Sequence, residues 1–169
     1  TSLVYEAELV QIYDEVFTKL NLPVVIKFNN RKILTGIAEV AGIPELMVDM
    51  TVAIDKLDKI GLDGIKKEMA ERGIGESAVE KITQILAIQS LEELQIALSA
   101  SEPGKLGIQE IQSLLQYLGS STTQQEIRFD ITLARGLNYY TGCIFEVQAK
   151  GVAMGSIGGG GRYDNLTGV

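Results

Sequence analysis

Histidine is absent from this chain, and cysteine occurs once, at Cys143. Without histidine, the chain can supply no histidine general base, no Ser-His or Cys-His nucleophile pair and none of the commonest metal ligand. A lone cysteine excludes an internal disulfide, argues against structural zinc and fits a reducing compartment. We therefore expect a cytoplasmic protein with no metal site built from this chain.

Long apolar runs and basic runs are also missing. No stretch comes near the roughly 18 apolar residues of a membrane span, and no signal-peptide pattern is present. The net charge of −7, without a Lys/Arg run, argues against nucleic-acid binding by bulk electrostatics. The P-loop motif is absent as well. The hydrophobic content of 46% and the charged content of 22% are typical of a globular protein.

The first forty residues predict a helix, a strand and a second helix. Apolar spacing predicts a helix over Leu3–Leu20, with Ser2 as N-cap. Its apolar stripe is expected to pack on a sheet, with a partner-binding helix as the alternative; the stripe comprises Leu9, Ile12, Tyr13, Val16 and Leu20. Val24–Phe28 reads as a strand, and Arg31–Ala41 as a helix ended by Gly42.

The composition becomes helical from Glu45 to Gly119. This part carries thirteen acidic and seven basic residues up to Glu110, and we read its acidic pairs, such as Asp55 and Asp58, as surface charge. Capping boxes at two serines mark helix starts. The predicted features are helices over Asp49–Ile60, Leu62–Arg72 and Ile108–Leu118, and capping boxes beginning at Ser77 and Ser90.

Two strand patterns flank the polar stretch R-G-L-N-Y-Y-T-G. Ile127–Leu133 alternates apolar and polar residues, and Cys143–Val147 is a second strand, expected to neighbour the first. Arg135 offers a planar fork suited to carboxylate or phosphate. Tyr139 and Tyr140 can wall a pocket and fix a ligand by a hydrogen bond. From the residues alone, tyrosines in the core and a surface arginine are an equal alternative.

A glycine-rich stretch, Met154–Gly161, follows the second strand. It is either a flexible tail or a strand whose missing side chains let a ligand lie against the backbone. The triplet Arg162-Tyr163-Asp164 favours the strand, because a plain linker needs no such residues.

R-G-L-x-Y-Y-T-G, a strand and then G-G-G-G-R-Y-D resemble the histidine-specific signature of histidyl-tRNA synthetases, a class II aminoacyl-tRNA synthetase family. The resemblance implies that Arg135 contacts the α-phosphate of ATP and of histidyl-adenylate. It also places Tyr140 nearest the imidazole of histidine. The chain has Asn138 where the family has Asp, which removes a charge beside the pocket. The implied site residues are Arg135, Tyr139, Tyr140, Gly159, Gly160 and Tyr163.

The resemblance implies an α+β fold: part of an antiparallel class II sheet with flanking helices, interrupted by an inserted all-helical domain. Residues 1–43 and 121–169 would belong to the catalytic domain, and 44–120 to the insertion. The full-length parent would use ATP with magnesium, histidine and tRNA(His), and would form a homodimer. Motifs 1, 2 and 3 and the anticodon-binding domain have no counterpart here, so we expect a fragment that is inactive alone.

Two alternatives remain at this point. A non-catalytic, synthetase-like regulatory subunit of histidine biosynthesis shares the Y-Y-T-G-x-x-F-E core, but it tends to lose the arginine and the long helical insertion. The second alternative is a helical interaction module attached to a glycine-rich hairpin. Histidine binding would separate this module from the others.

Overall fold

The computed structural model describes residues 2–119, 122–135 and 139–164. The helices are α1 Val4–Lys19, α2 Arg31–Val40, α3 Met47–Ile54, α4 Leu57–Glu71, α5 Glu76–Leu86, α6 Leu91–Ala97 and α7 Glu102–Gly119. The strands are β1 Val24–Asn30, β2 Glu126–Phe129, β3 Cys143–Ala149 and β4 Ser156–Gly161. A 3-10 turn, Pro44–Leu46, leads from α2 to α3. The α+β class expected from the sequence is confirmed.

The strands form one mixed sheet in the order β2-β1-β3-β4. β1 runs parallel to β2 and antiparallel to β3. The sheet is therefore mixed, whereas an antiparallel sheet was expected. The predicted pairing of the strands that flank the arginine and tyrosine segment is wrong, because β1 lies between them. Parallel neighbours need a long crossover, which α2 to α7 provide. β1 is buried at six of its seven positions, as befits a central strand.

β2 stops at Phe129 rather than at the predicted Leu133, because Asp130 ends it with a turn. The backbone N–H of Thr132 donates to Asp130 Oδ1 at 3.0 Å, and that of Leu133 to the Asp130 carbonyl at 3.0 Å. Such local bonds compete with the strand ladder. The chain turns here, just before Arg135.

α1 buries a different face from the one predicted. Its buried residues are Glu6, Ala7 and Val10, whereas Ile12 and Val16 of the predicted stripe are exposed. Leu9 and Tyr13 of that stripe do contact the sheet, over the glycines of β4. Ser2 is not the N-cap: the helix begins after Leu3, without a side-chain cap.

α7 begins earlier than predicted because Ser101 caps it. Its Oγ accepts a hydrogen bond from the Gly104 N–H at 3.0 Å. A Cβ on Gly36 of α2 would lie 2.6 Å from the Cα of Gly104, so two glycines let α2 and α7 approach closely. This tertiary contact outweighs the low helix propensity of glycine.

The boundaries of α3 and α4 also differ from the prediction. α3 ends at Ile54, and α4 spans the predicted gap between helices, with a kink at Gly61 where φ is 70°. Glycine tolerates this backbone conformation without steric cost. Gly42 after α2 has a φ of 77°, which confirms the predicted helix end, and Gly151 after β3 has a φ of 76°.

The two predicted capping boxes have different outcomes. Ser90 caps α6, where its Oγ accepts from the Glu93 N–H at 3.2 Å. Ser77 is no cap, because α5 begins at Glu76 after an extended Gly75 and so takes Ser77 into its first turn.

One cluster of buried apolar side chains connects α1 and the sheet to the helices between β1 and β2. The division into residues 1–43, 44–120 and 121–169 stays a prediction, and the α2–α7 contact crosses its first boundary. Within the described ranges, no helix is long and apolar enough to cross a membrane.

Candidate active site

The sheet has two chemically different faces. Neighbouring strand residues point to opposite faces, and the register aligns Lys27 of β1 with Glu146 of β3, and Glu146 with Gly159 of β4. We call the side that carries these three residues the polar face. The other side carries Phe28 and Phe145 and is covered by α1, α2 and α7. The polar face is where a ligand can meet charged groups.

Arg135 lies over the polar face, beside Glu146. Its Nε is 2.8 Å from Glu146 Oε2 and 3.4 Å from Asp55 Oδ1, which follows α3. The contact with Glu146 is an ion pair without hydrogen-bond alignment, since that oxygen accepts no hydrogen bond from the described residues. Gln148 Nε2 donates to the other oxygen of Glu146 at 2.5 Å. A buried carboxylate therefore holds an arginine that is itself 44% exposed.

A second ion pair stands next to Arg135. Lys27 Nζ lies 3.0 Å from Asp130 Oδ2, and both side chains are largely buried. Burial opposes ionisation of Asp130, but hydrogen bonds from Thr132 and the charge of Lys27 outweigh it and hold its pKa below the usual value. The small cavity between these groups, about 20 Å³, has room for roughly one water molecule. A larger ligand must therefore approach Arg135 from its exposed side.

Three tyrosines form a separate cluster at the open edge of the sheet. The ring centroids of Tyr139 and Tyr140 are 4.6 Å apart, and Tyr163 lies 5.1 Å from the first and 5.9 Å from the second. Burial, followed by the hydrogen bond with Tyr139, raises the pKa of Tyr140 to about 12. The Tyr140 hydroxyl therefore stays protonated well above neutral pH, with Tyr139 as its hydrogen-bond partner.

The Tyr140 ring occupies the space beside Gly161. A Cβ at Gly161 would lie 2.7 Å from Cδ1 of the ring and 2.7 Å from the Cys143 carbonyl oxygen. At Gly160 a Cβ would instead face α1, 3.5 Å from the Tyr13 hydroxyl. The glycines of β4 therefore leave space on both faces of the sheet: Gly161 leaves space for the Tyr140 ring, and Gly160 leaves space for α1.

A family profile described as "Histidyl-tRNA synthetase" matches residues 1–169. The chain belongs to the histidyl-tRNA synthetase family. A histidine–tRNA ligase of Bacteroides fragilis strain YCH46 is 56% identical over 173 residues, covering 99% of this chain and 38% of the relative. A histidine–tRNA ligase of Flavobacterium johnsoniae is 55% identical, covering 99% of this chain and 37% of the relative. The chain thus spans less than half the length of these ligases.

Solved structures agree with the fold. The crystal structure of histidyl-tRNA synthetase from Nostoc sp. PCC 7120 has a TM-score of 0.91 at 34% identity, covering 99% of this chain and 42% of that one. A Bacillus halodurans protein described as an ATP phosphoribosyltransferase regulatory subunit/histidyl-tRNA synthetase has a TM-score of 0.82 at 18% identity, covering 99% of this chain and 44% of that one. At that identity the second likeness concerns the fold alone.

The signature residues of this synthetase-family chain fall into two groups. Tyr139, Tyr140 and Tyr163 share one cluster, whereas Arg135 and its ion-pair partners line the small cavity, to which none of these tyrosines contributes. Gly136, Leu137 and Asn138 lie outside the described residues. The roles assigned to all of these side chains stay predictions.

The two predicted glycines point to different faces. Gly159 is paired with Glu146 and lies on the polar face, whereas Gly160 is paired with Phe145 and lies on the face toward α1. Only Gly159 can therefore meet a ligand on the polar face through its own Cα. Gly161, which belongs to the predicted glycine strand but was not among the named site residues, lies directly beside Tyr140.

Sequence reasoning missed the charged partners of Arg135. Glu146 carried a signal, since it is a charge inside the otherwise apolar start of β3. Asp55 is exposed, as expected of surface charge, yet it also lies within ion-pair distance of Arg135. Only the tertiary structure reveals this approach, because Asp55 and Arg135 are far apart in the chain.

Proposed function

We propose that the full-length protein carrying this chain is a histidine–tRNA ligase. In the proposed reaction the histidine carboxylate attacks the α-phosphate of ATP, the bond to pyrophosphate breaks, and histidyl-adenylate forms. The 3′ end of tRNA(His) then takes the histidyl group and releases AMP. Membership of the family and the ligase names of relatives above 50% identity support this proposal.

Arg135 is proposed to stabilise the charge that develops on the α-phosphate. The observation that carries this role is its position: an exposed guanidinium on the polar face, held at 2.8 Å by a carboxylate that is 4% exposed. Such a preorganised cation needs little rearrangement when charge develops on a phosphate oxygen. Glu146 thereby holds the guanidinium from its buried side.

The tyrosine cluster is proposed to form one wall of the histidine pocket. The Tyr140 hydroxyl can donate to an imidazole nitrogen when the substrate replaces Tyr139 as its partner, while Tyr139 and Tyr163 provide aromatic surface. Gly159 is retained in the proposed site as backbone floor on the polar face, and Gly160 as its neighbour that faces α1. Because the chain spans less than half the length of its ligase relatives, we propose that it does not form adenylate on its own.

The remaining assignments extend the family's properties to the parent protein. We propose ATP as substrate, with magnesium, tRNA(His) as partner, a homodimer and a cytoplasmic location. Among residues 2–119, 122–135 and 139–164 no group of three His, Cys, Asp or Glu side chains could hold a metal ion. We therefore assign no residue of this chain to magnesium.

Pyrophosphate exchange tests the proposal. The full-length protein should exchange pyrophosphate into ATP only when histidine is present, among the twenty amino acids. Tyr140→Phe should raise KM for histidine with little change in KM for ATP, because it removes one hydrogen-bonding group from the amino-acid pocket. Exchange that is independent of histidine, or no exchange, would reject the assigned activity.

A further inference from the structure

Arg162 is a buried cation that the proposed reaction leaves unexplained. Its side chain is 9% exposed and lies immediately after β4, between the glycine run and Tyr163. Its Nη2 is 2.8 Å from Glu110 Oε2 of α7, and its Nε is 3.1 Å from Glu6 Oε1 of α1. The approach to Glu6 is an ion pair without hydrogen-bond alignment. Two helices that are distant in sequence are thus tied to one side chain at the edge of the sheet.

Both carboxylates have further partners on the central strands. Glu110 accepts from Asn30 Nδ2 at 2.7 Å and forms an ion pair with Lys32. Glu6 Oε1 accepts from the Cys143 N–H at 3.1 Å. Asn30 in turn caps α2, accepting from the Lys32 N–H at 3.0 Å. Removing one member would leave a buried charge without its counter-charge, which is costly. Such a network therefore holds its elements in one arrangement.

The backbone of Arg162 ties the two signature motifs together. Its N–H donates to the Cys143 carbonyl at 2.9 Å, and its carbonyl accepts from the Thr141 N–H at 2.8 Å. Thr141 Oγ1 also lies 2.7 Å from Asp164 Oδ2. Tyr140 directly precedes Thr141, and Tyr163 lies between Arg162 and Asp164. These bonds therefore fix the chain on both sides of the tyrosine cluster.

Gly142 makes room for the arginine side chain. A Cβ at Gly142 would lie 2.2 Å from Nε and 2.3 Å from Nη2 of Arg162. The glycine that ends Y-Y-T-G and the arginine in G-R-Y-D thus occupy complementary space. The two motifs are coupled by packing as well as by hydrogen bonds.

We propose that Arg162 is a positioning residue of the amino-acid pocket, which fixes Tyr140 and Tyr163 by tying their segments to α1 and α7. This inference rests on the proposed function. Arg162 is not a ligand of the substrate phosphates, because two carboxylates already flank its buried guanidinium. Its influence passes through the backbone to the two tyrosines, and it connects the helical segment to the pocket through Glu110.

The test compares Arg162→Gln with Arg72→Gln in the full-length protein. Arg72 is a matched control, because it also lies between two carboxylates, Asp49 and Glu68, but within the helical segment. Arg162→Gln should raise KM for histidine by about tenfold or more while KM for ATP stays within about threefold. Arg162→Lys should restore part of this loss, because it keeps a positive charge near Glu110. Equal effects of Arg162→Gln and Arg72→Gln on KM for histidine would overturn the proposal.

Glu110→Gln provides a second test if Arg162→Gln does not fold. It keeps the shape of the side chain and changes no residue of the tyrosine cluster, so a raised KM for histidine supports the connection from α7 to the pocket. An unchanged KM for histidine in Glu110→Gln contradicts that connection.

Hydrogen–deuterium exchange separates this inference from the proposed function. In Arg162→Gln the backbone of residues 139–143 and 161–164 should exchange faster than in Arg72→Gln, whether or not the protein activates histidine. If the wild-type protein fails to activate histidine, the ligase assignment falls, and faster exchange still shows that Arg162 orders the tyrosine segments. Unchanged exchange in these segments would reject the positioning role in either case.

Discussion

Alanine at Gly161 and alanine at Gly160 should have opposite effects on stability, although the two glycines are adjacent. At Gly161 the new Cβ would lie 2.7 Å from the Cys143 carbonyl oxygen and 2.7 and 2.8 Å from two carbons of the Tyr140 ring. Ordinary contacts between carbon atoms begin near roughly 3.5 Å, so the ring must shift by close to an ångström. The carbonyl belongs to β3, which is paired on both sides and cannot yield easily.

The expected magnitudes follow from these distances. Overpacking of this kind costs roughly 1–3 kcal/mol, and replacing glycine returns about 0.4–1 kcal/mol by restricting the unfolded chain. The two contributions leave a net loss of up to about 2.6 kcal/mol, so Gly161→Ala should lower the free energy of unfolding by about 1.3 kcal/mol at the midpoints of these ranges. At Gly160 the nearest atoms to a Cβ would be 3.5 and 3.9 Å away, so only the favourable contribution remains. Gly160→Ala should be neutral or stabilising by up to about 1 kcal/mol.

Urea unfolding followed by circular dichroism measures this difference. Tyrosine fluorescence provides a second probe near the site, since the chain has six tyrosines and no tryptophan. In the full-length protein Gly161→Ala should also raise KM for histidine, because Tyr140 is displaced. Free energies of unfolding for the two variants that agree within about 0.5 kcal/mol would refute the packing assigned to β4.

Two further predictions concern the buried charges and the domain division. Burial, opposed by Arg162, raises the pKa of Glu6, whereas hydrogen bonds from Lys32, Asn30 and Arg162 outweigh burial and lower that of Glu110. Ionised Glu110 therefore stabilises the fold at pH values above 4.5, the ordinary pKa of glutamate, and this stabilisation is lost as the pH falls through the lower pKa of the folded state. Glu6 behaves in the opposite way: its ionisation costs stability as the pH rises above 4.5. The free energy of unfolding of Glu110→Gln should thus be at least about 1 kcal/mol below that of wild type near pH 7 and close to it in acid. The free energy of unfolding of Glu6→Gln should rise relative to wild type as the pH increases. If the free energies of unfolding of wild type and both variants changed in parallel with pH, these signs would be wrong. Limited proteolysis should cut first near residues 42–44 and 120–123 if 44–120 is a separable domain, and early cuts confined to its interior would count against the division.

Local patterns predicted the elements whose ends are set by local chemistry. α2 ends before Gly42 and α6 starts after Ser90 because a positive φ and a serine cap act within a few residues. The early start of α7 was missed, because Gly104 is a poor helix former until it meets Gly36 of α2. The insertion of β1 between β2 and β3 depends on long-range pairing that no local pattern encodes.

In the candidate site, too, local sequence patterns predicted some features, whereas long-range contacts determined the others. The motifs identified Arg135 and the tyrosines by residue type and spacing, and the structure places the three tyrosines together. Their supporting charges were not predictable, since Glu146 and Asp55 reach Arg135 from separate elements. Arg162 was visible only as part of a triplet, because Glu6 and Glu110 approach it only in the folded chain.

The role of Arg135 is the central claim, and pyrophosphate exchange by Arg135→Ala in the full-length protein tests it most directly. Arg128→Ala is the matched control, because Arg128 is another exposed, ion-paired arginine, on β2 beside Glu126. Loss of a cation that acts on developing phosphate charge should lower kcat by roughly 2–4 kcal/mol, or about 30- to 900-fold, with a much smaller change in histidine binding. Arg128→Ala should leave kcat within about threefold of wild type. An Arg135→Ala variant whose kcat also stays within about threefold of wild type would contradict the account.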